Sequence, residues 1–459
     1  MSGNSSRHTA AVLTAKLFTR KLEWPAHAPT AHDVFAHRPD QFSALLEDSG
    51  GSGCQYLVSR EGEQLSVNPA SESQLFFSQW KQRLPPIVAE KNAARAIRCL
   101  IYAAYEAGTL LEVLPEPKTS PPATLLWLLF PVWSCCFAPE EKAVYICSGL
   151  SEAYLDAAEA ILRSTTSRKT SSVPVVNLGE VSVSDPDEYK QAVLRVKDYI
   201  RAGDVFQANI ARFWSVAMQK KQLPGLYAQL RQVNPAPFSC FVRVEAGDDR
   251  LYIVSSSPER LFRVSADGTV ETRPIAGTRK RSSGIQDDRL RQELLLSDKE
   301  RAEHIMLLDL GRNDLGRVCQ PGSIEVNERM IIERYATVQH IVSNIRGRLR
   351  EGKDVVDVFC AMFPGGTITG CPKVRCMEII HELEPGARGP YTGGVGYVAG
   401  DGSADMNILI RTFWHCHDTL HWAAGAGIVA DSSPEHELCE TEHKAVGLLH
   451  ALHNKGRQL

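Results

Sequence analysis

Tyr189-Lys-Gln-Ala-Val-Leu-Arg-Val-Lys-Asp-Tyr-Ile200 and the stretch after it, Gly203-Asp-Val-Phe-Gln-Ala-Asn-Ile-Ala-Arg-Phe-Trp-Ser-Val-Ala217, decide the fold class of this 459-residue chain. In the first, Ala192, Val193, Val196, Tyr199 and Ile200 recur at helical spacing, and Gly203 stands where a helix stops. In the second, a strand is expected from about Val205 to Ala217. More strands, rich in Val, Ile, Phe and Tyr, are expected at 239–245, 251–256 and 392–399, and helices at 286–311 and 372–383. Strands and helices come in runs, not in strict alternation. The fold is therefore read as α+β, with large, mostly antiparallel sheets flanked by helices.

The earlier part of the chain mixes short apolar segments with turn clusters such as Asp48-Ser-Gly-Gly-Ser-Gly53 and Pro115-Glu-Pro-Lys-Thr-Ser-Pro-Pro122. The polar run Thr165-Thr-Ser-Arg-Lys-Thr-Ser-Ser172 suggests a boundary near residue 180. This divides a structural or regulatory region, 1–180, from a catalytic region, 181–459. A net charge of −3 without a basic block argues against a nucleic-acid partner. The longest apolar run, Ala123-Thr-Leu-Leu-Trp-Leu-Leu-Phe-Pro-Val-Trp133, is too short to span a bilayer and reads as core. Residues 1–20 lack the apolar segment of a secretory signal. The 12 cysteines, among them Cys99, Cys147, Cys240 and Cys360, show no metal-ligand spacing and read as buried thiols of a reducing cytoplasm.

The polar chemistry lies in the second region. In Lys299-Glu-Arg-Ala-Glu-His304, Glu300 and Glu303 stand three apart and project from one helical face. Glu437 and Glu440 repeat that spacing in Glu435-His-Glu-Leu-Cys-Glu-Thr-Glu442. Two such pairs facing each other would suit Mg²⁺, whereas each alone reads as a solvated acidic face. Phe363-Pro-Gly-Gly-Thr-Ile-Thr-Gly-Cys-Pro-Lys373 is a glycine loop leading into a helix with Pro372 in its first turn. It lacks the ending of a phosphate-binding loop, which leaves a carboxylate site or a tight turn. A third glycine stretch, Ala424-Gly-Ala-Gly-Ile-Val-Ala-Asp431, reads as a strand that a ligand or another backbone approaches closely.

Taken in order, Gly203 to Asn209, Ser256-Ser-Pro-Glu-Arg260, Arg273-Pro-Ile-Ala-Gly-Thr278, Glu303 to Asp314, Phe363 to Lys373 and Gly425 to Asp431 resemble the blocks of the chorismate-utilising enzymes. The resemblance is dense over about 185–450 and looser through Leu45-Leu-Glu-Asp48. It implies a Mg²⁺ site formed by Glu303 and Glu440, helped by Glu300 and Glu437, and a protonated Glu259 as general acid for the leaving 4-hydroxyl. It further implies that Tyr391 and Arg411 hold the enolpyruvyl carboxylate and that Gly425, Gly427 and Lys444 line the ring-carboxylate side. Gly277, Thr278 and Thr367 fall near the substrate, and His340, in Tyr335-Ala-Thr-Val-Gln-His-Ile341, near the reacting ring.

Gln207 occupies the place where water-using relatives, the isochorismate and salicylate synthases, carry a basic lysine. Glutamine cannot activate water as a base, so the resemblance implies ammonia, delivered by a separate glutamine amidotransferase subunit. Two aminating branches remain. Ala276, where aminodeoxychorismate synthases often have a nucleophilic lysine, is the residue typical of anthranilate synthases. Four stretches resemble the aminodeoxychorismate enzymes instead: Ala236-Pro-Phe-Ser239, Tyr335-Ala-Thr-Val338, Gly366-Thr-Ile-Thr-Gly370 and Met406-Asn-Ile-Leu-Ile-Arg411. The expectation is Mg²⁺-dependent amination of chorismate to 4-amino-4-deoxychorismate, toward 4-aminobenzoate and folate. Anthranilate formation with pyruvate loss is the alternative, and a non-catalytic chorismate-binding relative a third reading.

Overall fold

Asp185 accepts a hydrogen bond from the Asp187 amide and Pro186 fills the first turn, which starts a helix at Pro186–Ala202; Gly203, at φ 82°, closes it in a conformation that favours glycine. The chain then enters the strand Gln207–Ala217, whose partner Thr419–Ile428 pairs antiparallel along its whole length, with Asn209 opposite Gly427. These elements belong to a computed structural model that describes residues 16–47, 53–69, 73–84, 86–90, 92–115, 124–165, 180–247, 249–280, 298–334 and 338–453, with positions 286 and 292. The turn cluster at 48–52, the polar run from 166, and Tyr335 to Thr337 lie outside the described residues.

Two antiparallel sheets organise the molecule. The first orders its strands as Phe18–Glu23, Ala143–Ser148, Ser134–Ala138, Gln55–Ser59, Phe42–Glu47, Phe238–Ala246, Asp249–Ser257, Thr412–Cys416, Thr419–Ile428, Gln207–Ala217 and Gly370–Cys371. The second runs Ile275–Lys280, Val338–Arg348, Thr269–Thr272, Arg260–Val264, Ala404–Ile408, Gly394–Ala399, Ile97–Ala103, Leu126–Pro131 and Gly62–Val67. Each sheet draws strands from both sides of residue 180, so the two regions are joined by main-chain hydrogen bonds.

Alternation along the strands sends side chains to two faces. Ala44, Val58, Val242 and Ile253 of the first sheet pack against Leu100, Tyr102, Leu129 and Val395 of the second. Helices cover the outer faces: Phe35, Leu162, Tyr227 and Leu448 lie on the first sheet, and Trp80 and Phe359 on the second. The apolar run at 124–133 is core strand, with Trp127 fully buried.

Three expectations change in detail. Pro372 stands at the N-cap of helix Lys373–Leu383, one residue before the first turn. The helix expected to end near 311 continues to Gly316. All cysteines are free, and the expectation of buried thiols fails at Cys54 and Cys439, which are exposed, and holds only in part at Cys360, Cys371 and Cys416, which are half-buried.

Candidate active site

The strand Thr419–Ile428 carries the glycine stretch singled out in the sequence. Gly425 and Gly427 share one face of that strand. A Cβ on Gly427 would lie 2.1 Å from Gln207 Nε2, and one on Gly425 would lie 2.8 Å from the Tyr391 hydroxyl. Only glycine leaves both groups in place.

Gln207 is 4% exposed, and its Nε2 donates to Glu303 Oε1 at 3.1 Å. Its Oε1 is buried without a hydrogen-bond partner among the described residues. On the far side of the glycines, Lys444 Nζ donates to Gly425 O at 2.9 Å and pairs with Glu440 at 2.7 Å. Glu303, Gln207, the glycines, Lys444 and Glu440 thus form one connected path. Glu437 is buried in the first turn of the helix Pro434–Leu452. The side chain of Glu300 lies outside the described residues. Among the described residues, no three His, Cys, Asp or Glu side chains converge as a ligand set for a metal ion.

Glu259 stands between the strands Asp249–Ser257 and Arg260–Val264, 6% exposed. Its amide donates to Ser257 Oγ at 3.3 Å and its carbonyl accepts from the Ile408 amide. Burial pushes its carboxyl up to about 7, against the Thr367 hydroxyl and the charges of Arg411 and Lys444, which favour the ionised form. The neighbouring Arg260 does not neutralise it, because that guanidinium is engaged by Asp405 at 2.8 and 3.0 Å.

His340 is 2% exposed on the strand Val338–Arg348, opposite Thr278. Burial and the charge of Arg411 lower it to about 4, so the imidazole is neutral near pH 7. Ala276 is buried beside it, at an irregularity in the ladder where Gly277 adopts φ 59°. The side chain of Thr278 lies outside the described residues. Arg411, at φ 51°, follows the strand Ala404–Ile408 and presents the cation felt by both Glu259 and His340.

Sequence reasoning missed the support beneath Tyr391. Arg388, fully buried, pairs with Glu384 at 2.6 Å and donates to Asn209 O at 2.7 Å and Ile368 O at 3.0 Å. Its guanidinium lies 4.7 Å from the Tyr105 ring and 5.7 Å from the Tyr391 ring. Glu384 also accepts from the Ala211 amide. Glu106, from the first region, accepts from the Arg388 and Gly389 amides at 2.7 and 3.0 Å. One ion pair therefore ties the strand Gln207–Ala217, the glycine loop and the Tyr391 turn together. Its signal in sequence is only Glu384-Pro-Gly-Ala-Arg388, which reads as a surface turn.

A protein from Synechocystis named anthranilate synthase component I-like is 49% identical over 61% of this chain and 57% of its own length. Anthranilate synthase component 1 of Cereibacter sphaeroides is 45% identical over 68% of this chain and 63% of its own. Aminodeoxychorismate synthase component 1 of Bacillus subtilis is 48% identical over 58% and 56%. The matches thus span less than two thirds of these relatives' lengths. Among solved structures, anthranilate synthase component I from Streptococcus pneumoniae superposes with a TM-score of 0.77 at 26% identity, covering 87% of this chain and 92% of that one. The menaquinone-specific isochorismate synthase of Escherichia coli shares the fold, with a TM-score of 0.72, 20% identity and 95% of each chain covered. The family model for chorismate binding enzymes matches residues 38–450, and this chain belongs to that family.

Proposed function

We propose that the chain aminates chorismate with ammonia to give 4-amino-4-deoxychorismate. The observation that carries an elimination chemistry is the carboxyl of Glu259, raised to about 7 by burial against the pull of Thr367, Arg411 and Lys444. A protonated carboxyl there donates its proton to the departing 4-hydroxyl, which would otherwise leave as hydroxide. Arg411 and Tyr391 hold the enolpyruvyl carboxylate, Arg411 through charge and Tyr391 through a hydroxyl set beside Gly425. Lys444 and the glycine face receive the ring carboxylate. Neutral His340 borders the ring without adding charge. Gln207 supplies amide hydrogen-bonding groups and no base, which suits an ammonia nucleophile arriving from a separate amidotransferase subunit.

Mg²⁺ fits the donor chemistry, which consists of carboxylate oxygens alone. Glu303 and Glu440 would hold it, with Glu300 and Glu437 as direct or water-mediated helpers, after a rearrangement that draws together carboxylates which, among the described residues, do not converge on one point. Bound there, the ion supplies charge neutralisation for the ring carboxylate.

Anthranilate formation is the second reading, favoured by the small buried Ala276 and by the names of most relatives given above. Product analysis separates the two. The chain is incubated with chorismate, Mg²⁺ and ammonium, and an aminodeoxychorismate lyase is then added. The expected result is 4-aminobenzoate only after the lyase. Anthranilate and pyruvate before the lyase would move the assignment to 2-amination, and no turnover at all would support a binding-only relative.

A further inference from the structure

Twelve free cysteines are scattered through the chain, and two of them neighbour each other on the first sheet. Cys136 lies on the strand Ser134–Ala138, directly opposite Tyr56 of the strand Gln55–Ser59. Cys54, two residues before Tyr56, falls on the same face by the period-two alternation, one diagonal step from Cys136. Cys136 is 0% exposed, whereas Cys54 opens to solvent. Each thiol is the foremost influence on the other, so the two sulfurs lie within interaction range. A cation completes the group: Arg95 Nη1 lies 4.0 Å from Cys54 Sγ. Its guanidinium is fixed 4.2 Å over the Tyr145 ring and paired with Glu141, whose other oxygen accepts from the Tyr145 hydroxyl.

We propose that Cys54 and Cys136 form a peroxide-reactive dithiol in which Cys54 is attacked first and Cys136 closes a disulfide between the two strands. The Cys136 thiol and the Arg95 charge lower Cys54, against burial and the Glu141 charge, which favours the thiolate at Cys54 over Cys136. The thiolate sulfur attacks one oxygen of hydrogen peroxide; an S–O bond forms, the O–O bond breaks, and the departing hydroxide takes a proton to leave as water. The Cys136 sulfur then attacks the Cys54 sulfenic sulfur. An S–S bond forms, the S–O bond breaks, and the Cys136 proton leaves with the hydroxyl as a second water. Two thiols are oxidised and one peroxide is reduced. Cys54 first, and then burial, raise Cys136 and keep it from being oxidised on its own; its place as the resolving partner rests on its position across the strand pair from Cys54.

The test uses the full chain, substoichiometric to equimolar hydrogen peroxide, alkylation of the remaining thiols and peptide mass mapping. Exposed Cys439 serves as the internal reference. A Cys54–Cys136 cross-linked peptide is expected in the wild type. Cys54 should also be alkylated on the order of tenfold faster than Cys439 at neutral pH. In Cys136→Ser, Cys54 should accumulate as a sulfenic acid trapped by dimedone, and in Cys54→Ser the cross-link should vanish. Arg95→Met should slow the Cys54 alkylation. Wild-type Cys54 that stops at sulfenic or sulfinic acid with Cys136 still alkylatable overturns the proposal, as does a Cys54 no more reactive than Cys439. Chorismate turnover enters none of these readouts, so the outcome is independent of the functional assignment.

Discussion

Glu259→Gln separates the environment of the carboxyl from its role in the reaction. In the folded chain the group is raised from 4.5 to about 7, chiefly because burial disfavours its charge. The folded state therefore keeps a proton that the unfolded chain releases. The stability this provides is whole below 4.5 and is lost as pH rises through about 7. At about 1.4 kcal/mol per tenfold, the ionised carboxyl at about pH 8.5 costs the wild type on the order of 3 kcal/mol. Glutamine keeps the shape and cannot ionise. Urea unfolding of both proteins from about pH 5 to 8.5 should show midpoints that converge at the acid end and separate in favour of the variant at the alkaline end. Glu106, also raised to about 7 by burial, is present in both proteins and cancels in the difference. Turnover should collapse in the variant at every pH, and wild-type kcat/KM for chorismate should fall as pH rises through about 7. A stability difference that stays flat across this range would refute the buried, neutral carboxyl, whatever happens to turnover.

Glu303→Gln and Glu440→Gln should each nearly abolish turnover with the fold intact by circular dichroism, and near-normal rates at low Mg²⁺ in either variant would remove both from the metal shell. Arg388→Met leaves the Glu384 carboxylate buried and unpaired, so it should lower stability by about 3–5 kcal/mol in urea unfolding, with part restored by adding Glu384→Leu; a loss under about 1 kcal/mol would mean the pair is not essential to this frame. Ala276→Lys should retain or gain 4-amination and yield a substrate-sized mass adduct on the new lysine. If the wild type makes anthranilate and the lysine variant is dead, the 4-amino assignment is withdrawn.

Local order was readable because local rules set it: the stop at Gly203 and the long strand beyond it follow from glycine's access to positive φ and from alternating burial. The carboxylate spacing was readable too, but not what each carboxylate meets. Nothing near Glu440 in sequence marks Gly425 as the second partner of Lys444, and nothing near Glu303 marks Gln207 as its donor. Those contacts exist because the strand Gln207–Ala217 is laid along Thr419–Ile428, a pairing between segments some two hundred residues apart. The division near residue 180 shows the same limit more sharply. It rests on a polar run, which reports local solvation and says nothing of sheet partners. Glu106 crosses it to accept the amides of Arg388 and Gly389, and Arg388 holds the glycine loop, the strand under Gln207 and the ring of Tyr391. A carboxylate in the first region thereby fixes the turn that carries a candidate substrate anchor in the second. The first region is therefore a structural part of the site, although its own sequence carries none of the site's chemistry.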